Sequence, residues 1–282
     1  MNHVRPRTAV LVLATLVALG TSAIAAQTAP ASNDEATQLA KQLSNPIADL
    51  VSIPSQFNFY EGVGVDDDLR FVLNLQPVVP FSITKDWNLI GRFILPFISQ
   101  PPLATGASTT FGTGDIVASA FFSPKQSKIV WGVGPVFGFP TTSDPNLGSG
   151  KWSIGPTAVV LKQHGPWTYG GLINQLWSYA STGDVQRPSV NQMYIQPFAA
   201  YGMKNAVTFT LSSESTANWL APSGDTWTIP IIGQVSKVTH LGPFPFSVGC
   251  GAGYFLASPD SGPQWMLRMN FVLILPNRKP GA

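Results

Sequence analysis

The stretch Leu69 to Ile83, LRFVLNLQPVVPFSI, limits the possible folds of this chain more than any other. Split by parity, it carries Leu69, Phe71, Leu73, Leu75, Pro77, Val79, Phe81 and Ile83 on one side, and Arg70, Val72, Asn74, Gln76, Val78, Pro80 and Ser82 on the other. Side chains of a β-strand point alternately to its two faces, so this reads as a strand with one wholly apolar face and one mixed face. It is longer than most strands of soluble proteins. An apolar face of that length needs a core or lipid against it.

The pattern recurs. In the closing segment Trp265, Leu267, Met269, Phe271, Leu273 and Leu275 alternate with Gln264, Met266, Arg268, Asn270, Val272 and Ile274. Phe57 and Phe59 oppose Gln56 and Asn58, and Val207, Phe209 and Leu211 oppose Thr208, Thr210, Ser212 and Glu214. A soluble β-sandwich can alternate in the same way. Here, however, charged residues make up 11% of the chain, against roughly 25% in ordinary soluble domains. Strands this long and this poor in charge would leave large apolar faces in water. No segment after the N-terminus supplies the uninterrupted apolar run of a membrane helix, and a closed barrel is the other way for a chain to cross a bilayer.

Residues 1–25 read as a secretory signal peptide: Arg5 and Arg7, an apolar run from Thr8 to Ala18, then Ala23-Ile24-Ala25 as a small-x-small cleavage site. An uncleaved anchor is the alternative, and the short run argues against it. Without the two signal arginines the chain carries 14 basic and 14 acidic residues, which offers no basic surface to nucleic acid. The single cysteine, Cys250, allows no intramolecular disulfide.

Residues 26–49 form a distinct segment. AQTAPASN is small and polar; Asn33 then stands as a cap for a short helix through Asp34 to Leu43, with Asp34 and Glu35 at its positive end, and Asn45-Pro46 ends it. The blander reading is a mobile tether. From residue 50 the pattern predicts twelve strands, near 50–62, 69–83, 87–100, 112–123, 129–140, 152–162, 167–179, 191–202, 206–218, 226–238, 244–257 and 264–276. Short and longer connections alternate, as in outer-membrane barrels with short periplasmic turns. All eight tryptophans fall near predicted strand ends, where interfacial girdles place them. Lys85, Lys125, Lys128, Lys162 and Lys204 lie at short turns, whereas Glu61, Asp66, Asp67, Asp68, Asp144, Asp184, Asp225 and Asp260 lie at loops. The expected fold is thus all-β: a transmembrane antiparallel β-barrel of about 12 strands over residues 50–277, with a short N-terminal helix and both termini in the periplasm.

Catalysis finds no footing in these residues. The histidines after the signal peptide, His164 and His240, fall in predicted turns without a serine or carboxylate beside them. Cys250 lies on the expected lipid face with Val248 and Ala252 and reads as an inert small hydrophobe. Asp66-Asp67-Asp68 lacks the alternating spacing of a cation loop and reads as a solvated tip. No cofactor is implied.

The informative polar residues are those inside strands. Arg70, Asn74, Gln76, Arg92, Asp115, Gln192, Gln196, Glu214, Gln234, Arg268 and Asn270 are the lumen-lining and solute-binding candidates. They have two readings: ion pairs that fill a narrow lumen, for example Arg92 with Asp115, or a constriction that selects permeants. The in-strand prolines Pro77, Pro80, Pro96, Pro135, Pro156, Pro197 and Pro230 must each remove a ladder bond or mark a bulge. One expectation is a gap between the second and third strands through which an apolar solute leaves sideways into lipid; the other is a row of satisfied bulges.

Taken in order, LAKQLSNPIADLVSIP, NLQPVVPFSI, DWNLIGRFILP, GTGDI, FFSPK, WGVGPVFGFPT, KWSIGPTAVVLKQHGPWTYG, QPFAAY, TWTIPIIGQVSKV and GPQWMLRMNF closely resemble the outer-membrane family labelled "MetA-pathway of phenol degradation", also called simply transporter. The likeness runs over residues 39–277. It implies an outer-membrane β-barrel of a Gram-negative bacterium that passes small solutes, aromatic or hydrophobic compounds among them, and it marks no catalytic residues. Many such barrels end on an aromatic residue, whereas this chain runs on through PNRKPGA. The expected function is a passive channel or transporter; the competing class is a structural or adhesive barrel plugged by the Asp34 to Leu43 helix.

Overall fold

The computed structural model describes residues 33–183, 187–242 and 244–275. The expected signal peptide, the 26–32 stretch, Asp184 and the PNRKPGA end lie outside the described residues. One helix, α1 (Asn33–Leu43), precedes fifteen strand segments: β1 (Val51–Val63), β2 (Asp68–Leu75), β3 (Val78–Ser82), β4 (Trp87–Gln100), β5 (Thr110–Thr113), β6 (Ile116–Pro124), β7 (Val130–Phe139), β8 (Lys151–His164), β9 (Trp167–Ser181), β10 (Asn191–Gly202), β11 (Val207–Ser212), β12 (Ser215–Asn218), β13 (Trp227–Leu241), β14 (Phe244–Ala257) and β15 (Trp265–Leu275). Three pairs, β2/β3, β5/β6 and β11/β12, are single staves interrupted once, so the wall has twelve staves. All are antiparallel to their neighbours, and β1 closes on β15 from Val51↔Leu275 to Glu61↔Trp265. The result is a closed 12-stranded antiparallel barrel, as the alternation predicts. Among the described residues no helix is long and apolar enough to cross a membrane.

The three interruptions have one physical cause. Each faces a proline on a neighbouring stave, where the ladder lacks an N–H donor. Gln76, at the β2/β3 break, faces Pro54 and donates its N–H to the Pro54 carbonyl at 2.8 Å. Gly114, at the β5/β6 break, does the same with Pro96 at 3.0 Å, and the register to β4 shifts there by one residue. Ser213, at the β11/β12 break, donates to the Pro197 carbonyl at 3.1 Å; the register puts Glu214 opposite Pro230.

These carbonyl bonds overturn the expected sideways exit. Pro77 accepts from Phe93 N–H at 3.0 Å, and Asn74↔Pro96 and Pro80↔Ile90 hold their places in the ladders to β4. On its other side Pro80 would face residue 50, just before β1 begins, so no bond is lost there. A proline removes only a donor; its carbonyl still ties the wall.

The outer face is apolar, with Ile154, Ile173, Phe209, Leu211, Leu256 and Met269 exposed among many others. Two aromatic belts bound it. At the short-turn end Trp87 stacks edge-on against Trp131, with ring centres 5.8 Å apart, and Trp167 stacks on Tyr201 at 4.9 Å. At the long-loop end Trp219 meets Trp227 at 5.7 Å, near Trp152, Trp177 and Trp265. Trp167 and Trp177 lie ten residues apart on β9, which at about 3.3 Å per residue and a tilt of about 40° separates the belts by about 25 Å along the axis. That is the height of the apolar band of a transmembrane barrel. Ile173, between the belts, is exposed; Ile173→Arg is expected to lower stability in lipid vesicles by about 2 to 4 kcal/mol, read from the urea midpoint. No loss would mean that this face does not meet hydrocarbon.

Connections at one end of the barrel are never longer than five residues, and those at the other reach eleven, over 140–150. Helix α1 packs at the short-turn end, where Ala36 and Ala40 bury against Ala206 and Val238. Thr37 Oγ1 donates to the Lys204 carbonyl at 2.9 Å, and Lys41 Nζ to the Gly165 carbonyl at 3.2 Å. Asn45 Oδ1 then accepts from Ile47 N–H at 3.0 Å, a local turn that ends the helix and sends the chain inward.

Candidate functional site: the lumen

Even-numbered positions of β1, β2, β4, β10, β13 and β15 point inward, so the lumen lining follows from strand parity. Its centre is held by one ion pair that crosses the interior. Arg268 on β15 donates through Nη1 and Nη2 to both oxygens of Glu214 at 2.6 and 2.8 Å, and through Nε to Asn58 Oδ1 at 2.6 Å. The Arg268 side chain is 1% exposed. It reaches Glu214, three staves away, across β14, whose residue at that level is Gly251. A Cβ on Gly251 would stand 2.5 Å from the Gln234 side chain, so only glycine leaves this level clear. Beside the pair runs a chain of amides: Arg92 Nη2 donates to Gln76 Oε1 at 2.8 Å, and Gln76 Nε2 to Gln56 Oε1 at 2.6 Å.

Two cavities meet at this layer and share Gln56, Gln76, Arg92 and Glu214 as lining. The one toward the short-turn end has a volume of about 240 Å³; it takes in Gln196, Gln234 and Asn270, and residues 43–46 of the N-terminal segment form its floor. The other, of about 200 Å³, takes in Asn74, Asn174, Gln192 and Tyr194. Gln192 also lines a vestibule of about 380 Å³ that has Pro145, Gly148 and Ser149 on one side and residues 187–190 on the other. The cavities thus form a series along the barrel.

At each end of the barrel an apolar side chain from outside the strands is buried inside the wall. Ile47 is buried in the lumen with Val78, Ile90, Phe121, Val159 and Leu172. At the long-loop end Leu147 is buried with Val72 and Ile98. Asp115 holds that loop: its carboxylate accepts from Thr142 N–H at 3.1 Å, Ser149 Oγ at 2.8 Å and Gly150 N–H at 2.9 Å. Thr141 Oγ1 accepts from Ile116 N–H at 2.9 Å and Ser143 Oγ from Thr113 N–H at 2.9 Å, so the loop takes up donors freed at the β5/β6 break.

The candidates therefore divide. Asn74, Gln76, Arg92, Gln192, Gln196, Glu214, Gln234 and Asn270 line the two cavities. Arg268 forms the brace. Arg70 lies inward beside Tyr60, with its Nε buried and without a hydrogen-bond partner among the described residues. The expected pairing of Arg92 with Asp115 is not formed. Arg92 aligns with Ser119, four residues or about 13 Å along the strand from Asp115, and Asp115 belongs to the loop. Gln56, Asn58, Asn174 and Tyr194 also line or brace the lumen; their parity within β1, β9 and β10 was the signal for them. His164 and His240 lie near the short-turn ends of β8 and β13, apart from the cavities, and Cys250 is exposed on the outer wall.

No family model matches the chain, and no curated protein matches it. Solved structures do. A COG4313 outer membrane channel from Pseudomonas putida F1 superposes with a TM-score of 0.61 at 16% identity, covering 80% of this chain and 96% of that one. The NanC porin superposes with a TM-score of 0.50 at 10% identity, covering 80% and 99%. The outer membrane phospholipase of Salmonella typhi gives 0.42 at 11% identity, covering 87% and 99%. At these identities the likeness is one of fold.

Proposed function

We propose that this chain is an outer-membrane channel of a Gram-negative bacterium, exported by a cleaved signal peptide, that lets small solutes diffuse passively through its lumen. The short-turn end faces the periplasm, as in other outer-membrane barrels. The observation that carries this reading is the series of cavities, lined by polar side chains among apolar ones, that runs from the N-terminal segment to the long-loop end of the barrel. The likeness of fold to a COG4313 channel and a porin supports it. The sequence resemblance to a family linked to phenol degradation adds small aromatic or hydrophobic compounds as solutes. No catalytic role is proposed.

The competing reading is a plugged structural barrel, and α1 with Ile47 is the feature that favours it. Planar-bilayer conductance of purified protein with and without residues 26–49 separates the two. Current that rises on removal of the segment is the expected result. Absence of current in both forms overturns the channel.

A further inference from the structure

We propose that Arg92 makes the lumen select for anions, and that the ligands held there are small monocarboxylates with an apolar body. This rests on the channel reading above and names its solute class.

Among the described residues the inward ionic side chains include the buried Lys151 as well as the five expected from parity; of these, Glu214 is committed to Arg268 through both oxygens, and Asp115 to the 140–150 loop. Among the described residues Arg92 has no carboxylate within ion-pair distance, although it lines both central cavities. Its bond to Gln76 Oε1 occupies one nitrogen. Gln76 is fixed as acceptor because its own nitrogen is given to Gln56. The guanidinium is therefore held through one nitrogen by an amide chain, and Arg92 lines both cavities. A guanidinium matches the two oxygens of a carboxylate in a planar fork.

The surroundings select the rest of the ligand. Ile94, Val117, Leu176 and the Tyr194 ring line the outer of the two cavities together with Arg92, so a bound carboxylate would rest its hydrocarbon part on an apolar wall. At the entrance, Arg187 lines the vestibule with a buried Nη1 that has no partner among the described residues. Two guanidiniums in series along a narrow low-dielectric path raise the local concentration of anions.

The test uses two readouts on the mature protein. Under a KCl gradient in planar bilayers, the wild type is expected to favour chloride, and Arg92→Gln to reduce the chloride-to-potassium permeability ratio by about thirtyfold, because a unit charge about 4 Å away across water favours chloride and disfavours potassium by about fivefold each. Arg92→Lys is expected to keep the preference. Calorimetric titration in detergent is expected to show hexanoate binding that weakens about tenfold or more in Arg92→Gln, the scale of a charge-assisted hydrogen bond, with uncharged hexanamide insensitive to the change. Heat-modifiable gel mobility checks that each variant is folded. Current without anion preference, or hexanoate binding equal in wild type and Arg92→Gln, overturns the proposal and leaves the channel standing. Binding without current sinks the channel and keeps the carboxylate site; neither binding nor current sinks both.

Discussion

Replacing Glu214 with alanine is expected to lower barrel stability by about 3 to 5 kcal/mol, because it leaves the Arg268 charge buried without its partner. The two groups cross the lumen and meet through two hydrogen bonds of 2.6 and 2.8 Å. Arg268 cannot turn to bulk water, since its side chain is 1% exposed, and Glu214, 20% exposed, borders only the two cavities. The urea midpoint in vesicles measures the loss. The double change Glu214→Leu with Arg268→Met is expected to recover most of it, because an apolar pair carries no desolvation penalty. If the single variant loses less than about 1 kcal/mol, the value of an exposed pair, the brace does not hold the lumen.

Asp115→Ala is expected to free the 140–150 loop without loosening the wall. Three donors from that loop converge on the carboxylate, and a hydrogen bond to a charged group contributes about 1.5 to 3 kcal/mol. Losing them is expected to speed proteolytic cleavage within the loop about hundredfold, a change of about 2.7 kcal/mol, and to raise single-channel current as Leu147 leaves the lumen. The wall does not depend on Asp115, so the urea midpoint should stay within about 0.5 kcal/mol of wild type. Cleavage at the wild-type rate would show that Leu147, or the serine and threonine bonds, hold the loop by themselves.

The wall was legible in the sequence because two signals with different physical origins agree on it. Period-2 alternation assigns faces, and Trp167 and Trp177 mark both edges of the apolar band on one strand. The interruptions at Gln76, Gly114 and Ser213 were half legible: the prolines announce missing donors, yet the sequence does not say which stave each faces or that its carbonyl stays bonded. Pairing inside the lumen was not legible. Glu214 and Arg268 lie 54 residues apart, and parity shows only that both point inward. Arg92 and Asp115 failed as a pair for the complementary reason, adjacent strands but different heights. Ile47 and Leu147 gave no signal, since a single apolar residue in a loop has no period.

The seating of Ile47 sets an order on assembly. Its neighbours Val78, Ile90, Phe121, Val159 and Leu172 come from five strands, β3, β4, β6, β8 and β9, and they converge only once those strands curve into a cylinder. On an open sheet this pocket does not exist. The N-terminal segment, though made before them, is therefore expected to dock only after these strands have curved together, and burial of Ile47 becomes a timestamp for that step.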